Sequence, residues 1–161
     1  MDTDKALREH LLYVLRGGGA HADFDSVVKD FPVELINERA ENIPYTAWQL
    51  LEHMRIAQWD ILEFSRNARH VSPPWPEGYW PKDKERADRA AWEKTVKAFS
   101  ADLKAMEDLV EDSSIDLFAP IAHGEGQTVL REALLVADHN AYHLGALVTI
   151  KRTLGAVKSD G

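Results

Sequence analysis

Apolar residues recur at helical spacing in four long stretches, and the breaks between them carry turn chemistry rather than strand alternation. The first stretch covers residues 3–16 and stops at Gly17-Gly18-Gly19, three residues that favour helix termination. Residues 22–44 form a connection with a short helix expected over 24–30, halted by Pro32. The second long helix has a clear start. Thr46 and Gln49 stand at the T-x-x-Q spacing of a capping box, just after Pro44, and the helix should run to about Asn67. Leu50, Met54, Ala57, Ile61 and Phe64 form one apolar stripe on it, while Trp48, Leu51, Trp59 and Leu62 fall on a nearly opposite side. Two apolar sides require two packing partners. One is the helical core, and the other is either the 22–44 connection or a second copy of the chain.

The segment 72–81, SPPWPEGYWP, reads as an ordered loop. Its prolines and glycine forbid a regular element, yet two Trp and a Tyr are too apolar for a solvated linker. Trp75, Tyr79 and Trp80 either plug a gap or wall a pocket. A third helix is expected over 86–111, with Ala91, Thr95, Ala98, Leu103, Met106 and Val110 inward. Pro120 and Gly124-Glu125-Gly126 precede a fourth helix from near Thr128 to Leu154, stopped by Gly155. Its core stripe is Val129, Ala133, Val136, Ala137, Leu144, Leu147 and Val148. The fold expected is all-α: one domain over residues 1–161, an up-and-down four-helix bundle with a long connection after the first helix.

Composition narrows the function classes. At 161 residues, 45% hydrophobic and 29% charged, the chain has ordinary globular proportions. No apolar run approaches the roughly 20 residues that a membrane helix needs. The opening MDTDKALREH lacks the layout of a secretory signal, so a cytoplasmic location is expected. Cysteine is absent, which excludes disulfides, thiolate ligands and a cysteine nucleophile. A net charge of −8 with scattered Lys and Arg argues against nucleic acid and against anionic membranes as partners.

Seven histidines occur, and three carry the chemistry. His139 and His143 are four apart on the fourth helix, so they project from one face, one turn apart. That spacing lets two imidazoles grip one metal ion. His143 lies in the apolar stripe and His139 at its border, where an unsatisfied ring nitrogen costs about 1–3 kcal/mol. His53 sits beside Leu50, Met54 and Ala57 on the second helix, and adds a third core-side imidazole. Three neutral ligands leave an open position on a divalent ion. His10, His21, His70 and His123 lie in charged or loop surroundings and read as ordinary. Asp60 and Glu132, each two turns from a candidate ligand, are either surface residues or acids that orient a ligand imidazole. The competing bland reading leaves the three core histidines as hydrogen-bonded structural residues.

Three segments, TAWQLLEHMRIAQWDILEF (46–64), PPWPEGYWP (73–81) and DHNAYHLGALVTIKRTLG (138–155), make the chain resemble the DinB/YfiT-like superfamily of metalloenzymes from about residue 5 to 155. The resemblance implies a four-helix bundle and a three-histidine site, with one ligand from the second helix and an H-x-x-x-H pair from the last. Those ligands fall on His53, His139 and His143. Relatives often carry Gln three residues after the last histidine; Ala146 stands there in this chain. Nickel and zinc are the metals the resemblance favours, among the Zn, Ni, Co and Fe ions that suit imidazole.

Function then divides three ways. A metal-dependent enzyme, a thiol transferase or a hydrolase, would activate a low-molecular-weight thiol or a water against a small-molecule substrate. The alternative is a non-catalytic metal-binding stress-response or scaffold protein, which the aliphatic neighbours of the histidines favour. A purely structural bundle is the third. A homodimer is expected, since similar bundles commonly pair.

Overall fold

The computed structural model describes residues 3–17 and 19–155. Among the described residues five α-helices account for the regular structure: α1 (Thr3–Arg16), α2 (Phe24–Val28), α3 (Ala47–Arg66), α4 (Arg89–Glu111) and α5 (Val129–Thr153). A single 3-10 turn covers Glu77–Tyr79, and no strand occurs among the described residues, where pairing is limited to an isolated antiparallel bridge between Pro120 and Thr128.

Side-chain oxygens set the helix starts. Asp23 accepts from the Ser26 amide, Asp88 from Ala91, and Thr128 from Arg131. At α3 the capping box is complete: Thr46 accepts from the Gln49 amide, and the Gln49 side chain accepts from the Thr46 amide. Each such cap is worth about 1 kcal/mol. The Asp88 cap also explains why α4 begins at Arg89 and not at Arg86 as the sequence pattern suggested. Gly17, at φ 67°, takes the left-handed turn that ends α1.

The central element is α3. It packs on α4 and on α5, while α1 packs on the same two helices and α2 touches α5. Both sides of α3 are accordingly buried: Leu50, Leu51, Met54 and Leu62 have no exposed surface. One apolar cluster joins α2 and the connection to the middle of the molecule, through Phe24, Phe31, Ile36, Trp48, Trp92 and Phe99. A second lies under α1, around Leu11, Leu15, Leu62, Met106, Val110 and Val136. Trp48 is covered by the connection, and its backbone amide donates to the Ile36 carbonyl at 2.8 Å. Trp59 is half-buried with its ring edge-on to His70. Trp48, Leu51 and Leu62 on the second apolar side of α3 are thus buried within the chain, while Trp59 keeps part of its surface exposed.

On α4 the buried residues are Trp92, Thr95, Phe99, Met106, Glu107 and Val110. Trp92 and Phe99 are absent from the stripe read off the sequence. They are drawn in by partners outside α4: Phe24 stacks on Phe99 with centroids 4.0 Å apart, and Phe31 meets Trp92 at 5.2 Å.

A buried cation closes the end of α4. Arg8, on α1, donates to the carbonyls of Val110 (2.7 Å), Asp112 (3.1 Å) and Ile115 (2.7 Å), and pairs with Asp4 at 2.7 Å. The last carbonyls of a helix lack intrahelical donors and carry the negative end of its dipole, so a guanidinium there serves two needs at once. Replacing Arg8 by Met keeps the stem and removes the donors. We expect a loss of about 2–3 kcal/mol, on the scale of charged hydrogen bonds. Equilibrium urea unfolding measures it, and a loss below a few tenths would show that water replaces the cap.

Candidate metal centre

His53 enters the site from the middle of α3, where packing on two helices leaves the residue 4% exposed. His139 and His143 project from successive turns of α5 and are half-buried. The three rings meet by their Nε2 atoms, with His53 Nε2 lying 3.2 Å from that of His139 and 3.2 Å from that of His143. One ligand atom from each residue falls within 4.8 Å of the others. Zinc–imidazole bonds of about 2.0–2.1 Å in a tetrahedral arrangement put ligand nitrogens about 3.3 Å apart. The spacing and donor set therefore fit a divalent ion.

The electrostatics point the same way. Burial pushes the His53 imidazolium below its ordinary range, opposed by the bond to Tyr79. His139 is lowered to about 4, first by burial and then by the charge of His53, with the Asn140 side chain acting in the opposite direction. His143 is also lowered to about 4, by burial and by its two neighbours. At neutral pH the rings of His139 and His143 are uncharged, the form in which imidazole binds metal, and burial favours the same form at His53.

The proline-rich loop orients one ligand. His53 Nδ1 donates to the Tyr79 carbonyl at 2.9 Å, which leaves the Nε2 lone pair facing the other two histidines. Trp80 lies flat on the His53 ring, with centroids 3.9 Å apart and planes 4° from parallel. Tyr79 is itself anchored: its hydroxyl donates to Asp60 Oδ2 at 2.6 Å, and His70 Nε2 donates to Asp60 Oδ1 at 2.7 Å. Burial and the Asp60 carboxylate push the Tyr79 phenol up to about 12. Gly78 makes this turn possible, because a Cβ there would come within 2.6 Å of Pro73 Cβ and 3.2 Å of the Pro73 backbone. Tyr45 stacks on Trp80, and Tyr142 meets the His143 ring edge-on.

Tyr79 and Trp80 thus line the site, whereas Trp75 is 74% exposed and packs its ring against Tyr79. Asp60 acts on His53 through Tyr79, not by direct contact. Glu132 is buried and pairs with Arg131, and it bonds none of the three imidazoles. Of the other histidines, His70 and His123 hold loops to α3, through Asp60 and the Phe64 carbonyl, and His21 bonds the neighbouring Ala22 carbonyl. Gln58 and Asn140 were not singled out from the sequence. Gln58 is fully buried, donates to the Phe99 carbonyl at 2.7 Å and accepts from Asn140 Nδ2 at 2.7 Å. A polar residue between two apolar stripes of one helix was the signal that could have found it.

A family model described as the DinB superfamily matches residues 19–147, a span that holds all three histidines. No curated protein and no solved structure matches the chain. The chain belongs to the DinB superfamily.

Because burial lowers the imidazoles of His139 and His143 from 6.5 to about 4, the unfolded chain takes up their protons first as pH falls. Their contribution to the stability of the metal-free protein is full above about 6.5 and is lost as pH drops toward 4. Urea unfolding across that window should show a smaller acid loss for a His139→Asn, His143→Asn double variant than for the wild type. Parallel pH profiles would show that the two rings are not held neutral by the fold.

Proposed function

We propose that this member of the DinB superfamily binds one divalent metal ion, nickel or zinc, through Nε2 of His53, His139 and His143, and uses it as a metal-dependent transferase or hydrolase. The observation that carries the reading is the convergence of three buried-side imidazole nitrogens on one point. The same reading places α1, α3, α4 and α5 as an up-and-down four-helix bundle, with the connection after α1 carrying α2.

His53, His139 and His143 would hold the ion, which would supply a lowered pKa to a water or thiol in its open position. The chain's own contribution is to supply three neutral ligands with no carboxylate among them. That donor set leaves the double positive charge uncompensated and favours an anionic ligand, a thiolate or a hydroxide, over a neutral one. Trp80 covers the face of His53 and excludes water there, and Tyr79 holds that ring in the tautomer that presents Nε2. Tyr45 and Tyr142 add aromatic edges beside the rings, suited to the apolar part of a small-molecule substrate.

A non-catalytic metal-binding or scaffold role has one observation in its favour: among the described residues no carboxylate or ammonium group hydrogen-bonds any of the three imidazoles. The homodimer belongs to the proposal as well. Trp48 is buried inside the chain, and the half-buried Trp59 remains the exposed part of that side of α3 on which a second copy would pack.

Elemental analysis of protein purified without a polyhistidine tag should find about one nickel or zinc per chain. His53→Ala, His139→Ala and His143→Ala should each lose it. The cobalt-substituted protein should then gain a thiolate charge-transfer band on adding a small thiol if the transferase reading holds. Wild-type protein that takes up no metal even after soaking would overturn the proposal. Metal without a thiol band, and without hydrolysis of simple esters or amides, would favour the non-catalytic role.

A further inference from the structure

His53 has an evident partner for its outer nitrogen, but His139 Nδ1 and His143 Nδ1 are both buried without one. So is Asn140 Oδ1, on the residue directly after His139. A donor and an acceptor stranded on adjacent residues would each cost about 1–3 kcal/mol if left so. Their pairing can be worked out from the far end of a chain of amides, beginning at a group whose chemistry is unambiguous.

That group is the Phe99 carbonyl on α4, which can only accept. Gln58 must therefore turn its NH2 toward Phe99, and it does, at 2.7 Å. Its own oxygen then faces Asn140 and can only accept. Asn140 must in turn present its NH2 to Gln58, at 2.7 Å. This leaves Asn140 Oδ1 as the free end, an acceptor that needs a donor. The amide orientations are thus forced in sequence, and neither Gln58 nor Asn140 can flip alone without opposing like groups.

We propose that Phe99, Gln58 and Asn140 form a buried amide relay whose terminal oxygen takes the Nδ1 proton of His139 and so fixes the tautomer that frees its Nε2. The inference rests on the three-histidine reading for its purpose, and on the α4–α3–α5 hydrogen bonds for its evidence. Gln58 and Asn140 are positioning residues in this scheme, since the metal ligand is His139. Neither His139 Nδ1 nor Asn140 Oδ1 has a partner as the side chains stand, so the last bond requires them to rotate toward each other.

The relay also distinguishes His139 from His143. In the metal-free protein His53 Nε2 is a lone pair, because its proton sits on Nδ1 against Tyr79. Both other Nε2 atoms lie 3.2 Å from it, and either could donate to it. With His139 committed to an Nδ1 proton, His143 becomes the donor, since among the described residues nothing holds its Nδ1. Two histidines of one H-x-x-x-H pair should then be opposite tautomers before metal binds.

Long-range proton–nitrogen correlation spectra of the full-length, metal-free, nitrogen-15-labelled protein near neutral pH read this directly. The expected pattern is a proton on Nδ1 of His53 and His139 and on Nε2 of His143. In Asn140→Leu the His139 signal should shift toward the Nε2–H form, and zinc should bind about 10–100-fold more weakly, the usual effect of losing such a partner. The wild-type spectrum needs no variant, so a poorly folding Asn140→Leu cannot hide the answer. An Nε2 proton on His139 in the wild type would overturn the relay, as would an unchanged His139 tautomer in a folded Asn140→Leu. If the wild type shows the expected tautomers yet binds no zinc, the relay stands and the metal reading falls.

Discussion

A buried imidazole has two nitrogens, and each must find a partner or a reason to be there. At His53 the hydrogen bond from Nδ1 to the Tyr79 carbonyl meets that demand on one side and so defines what the other side can do. The same bond gives the proline-rich segment its purpose. Without a partner on α3 that segment would be a chain of prolines and aromatics with little to order it. Anchored at Asp60 through the Tyr79 hydroxyl and seated on His53 through Trp80, it becomes one wall of the site. Helix and loop each supply what the other lacks: α3 brings the ring and the acid, and the loop brings the carbonyl and the cover.

The arrangement loads α3 heavily. His53, Gln58 and Asp60 are all buried on a single helix, and each carries polar atoms that water would otherwise satisfy. Such groups are tolerated where their partners are in place and the surrounding packing is ample. Two apolar clusters provide that packing, one on the side of the connection and one under α1. This is why α3 is apolar on two sides. A helix with a single buried face would not hold three polar groups inside and still anchor two layers of neighbours.

Much of this was legible in the sequence, for local reasons. The capping box at Thr46 and Gln49 fixes the start of α3 within a residue because both partners lie within four positions of each other. The spacing of His139 and His143 is likewise a property of one helix. His53 could be joined to them because its neighbours Leu50, Met54 and Ala57 mark the core side. Trp92 and Phe99 were missed on α4 since their burial depends on Phe31 and Phe24, far away in the chain, and the charges around them mask the period. The surroundings of His53 looked aliphatic in sequence because its polar partner is the Tyr79 carbonyl and its cover the Trp80 indole, both from a loop more than twenty residues away. Asp60 was read as a candidate to orient a ligand directly, and it reaches His53 only through Tyr79.

What separates a poised site from a merely buried one is the direction of its hydrogen bonds. Carbonyls accept and cannot donate, so the Tyr79 carbonyl and the Phe99 carbonyl each impose a direction on whatever they hold. From Tyr79 the direction passes in one step to His53; from Phe99 it passes through two amides to α5. Both routes end by turning a nitrogen lone pair toward the same point. Backbone carbonyls of a packed helix and of an anchored turn do not titrate, so this poise is independent of pH over the range in which the rings stay neutral. The chain therefore spends its buried polar groups on orientation and leaves charge for whatever binds there.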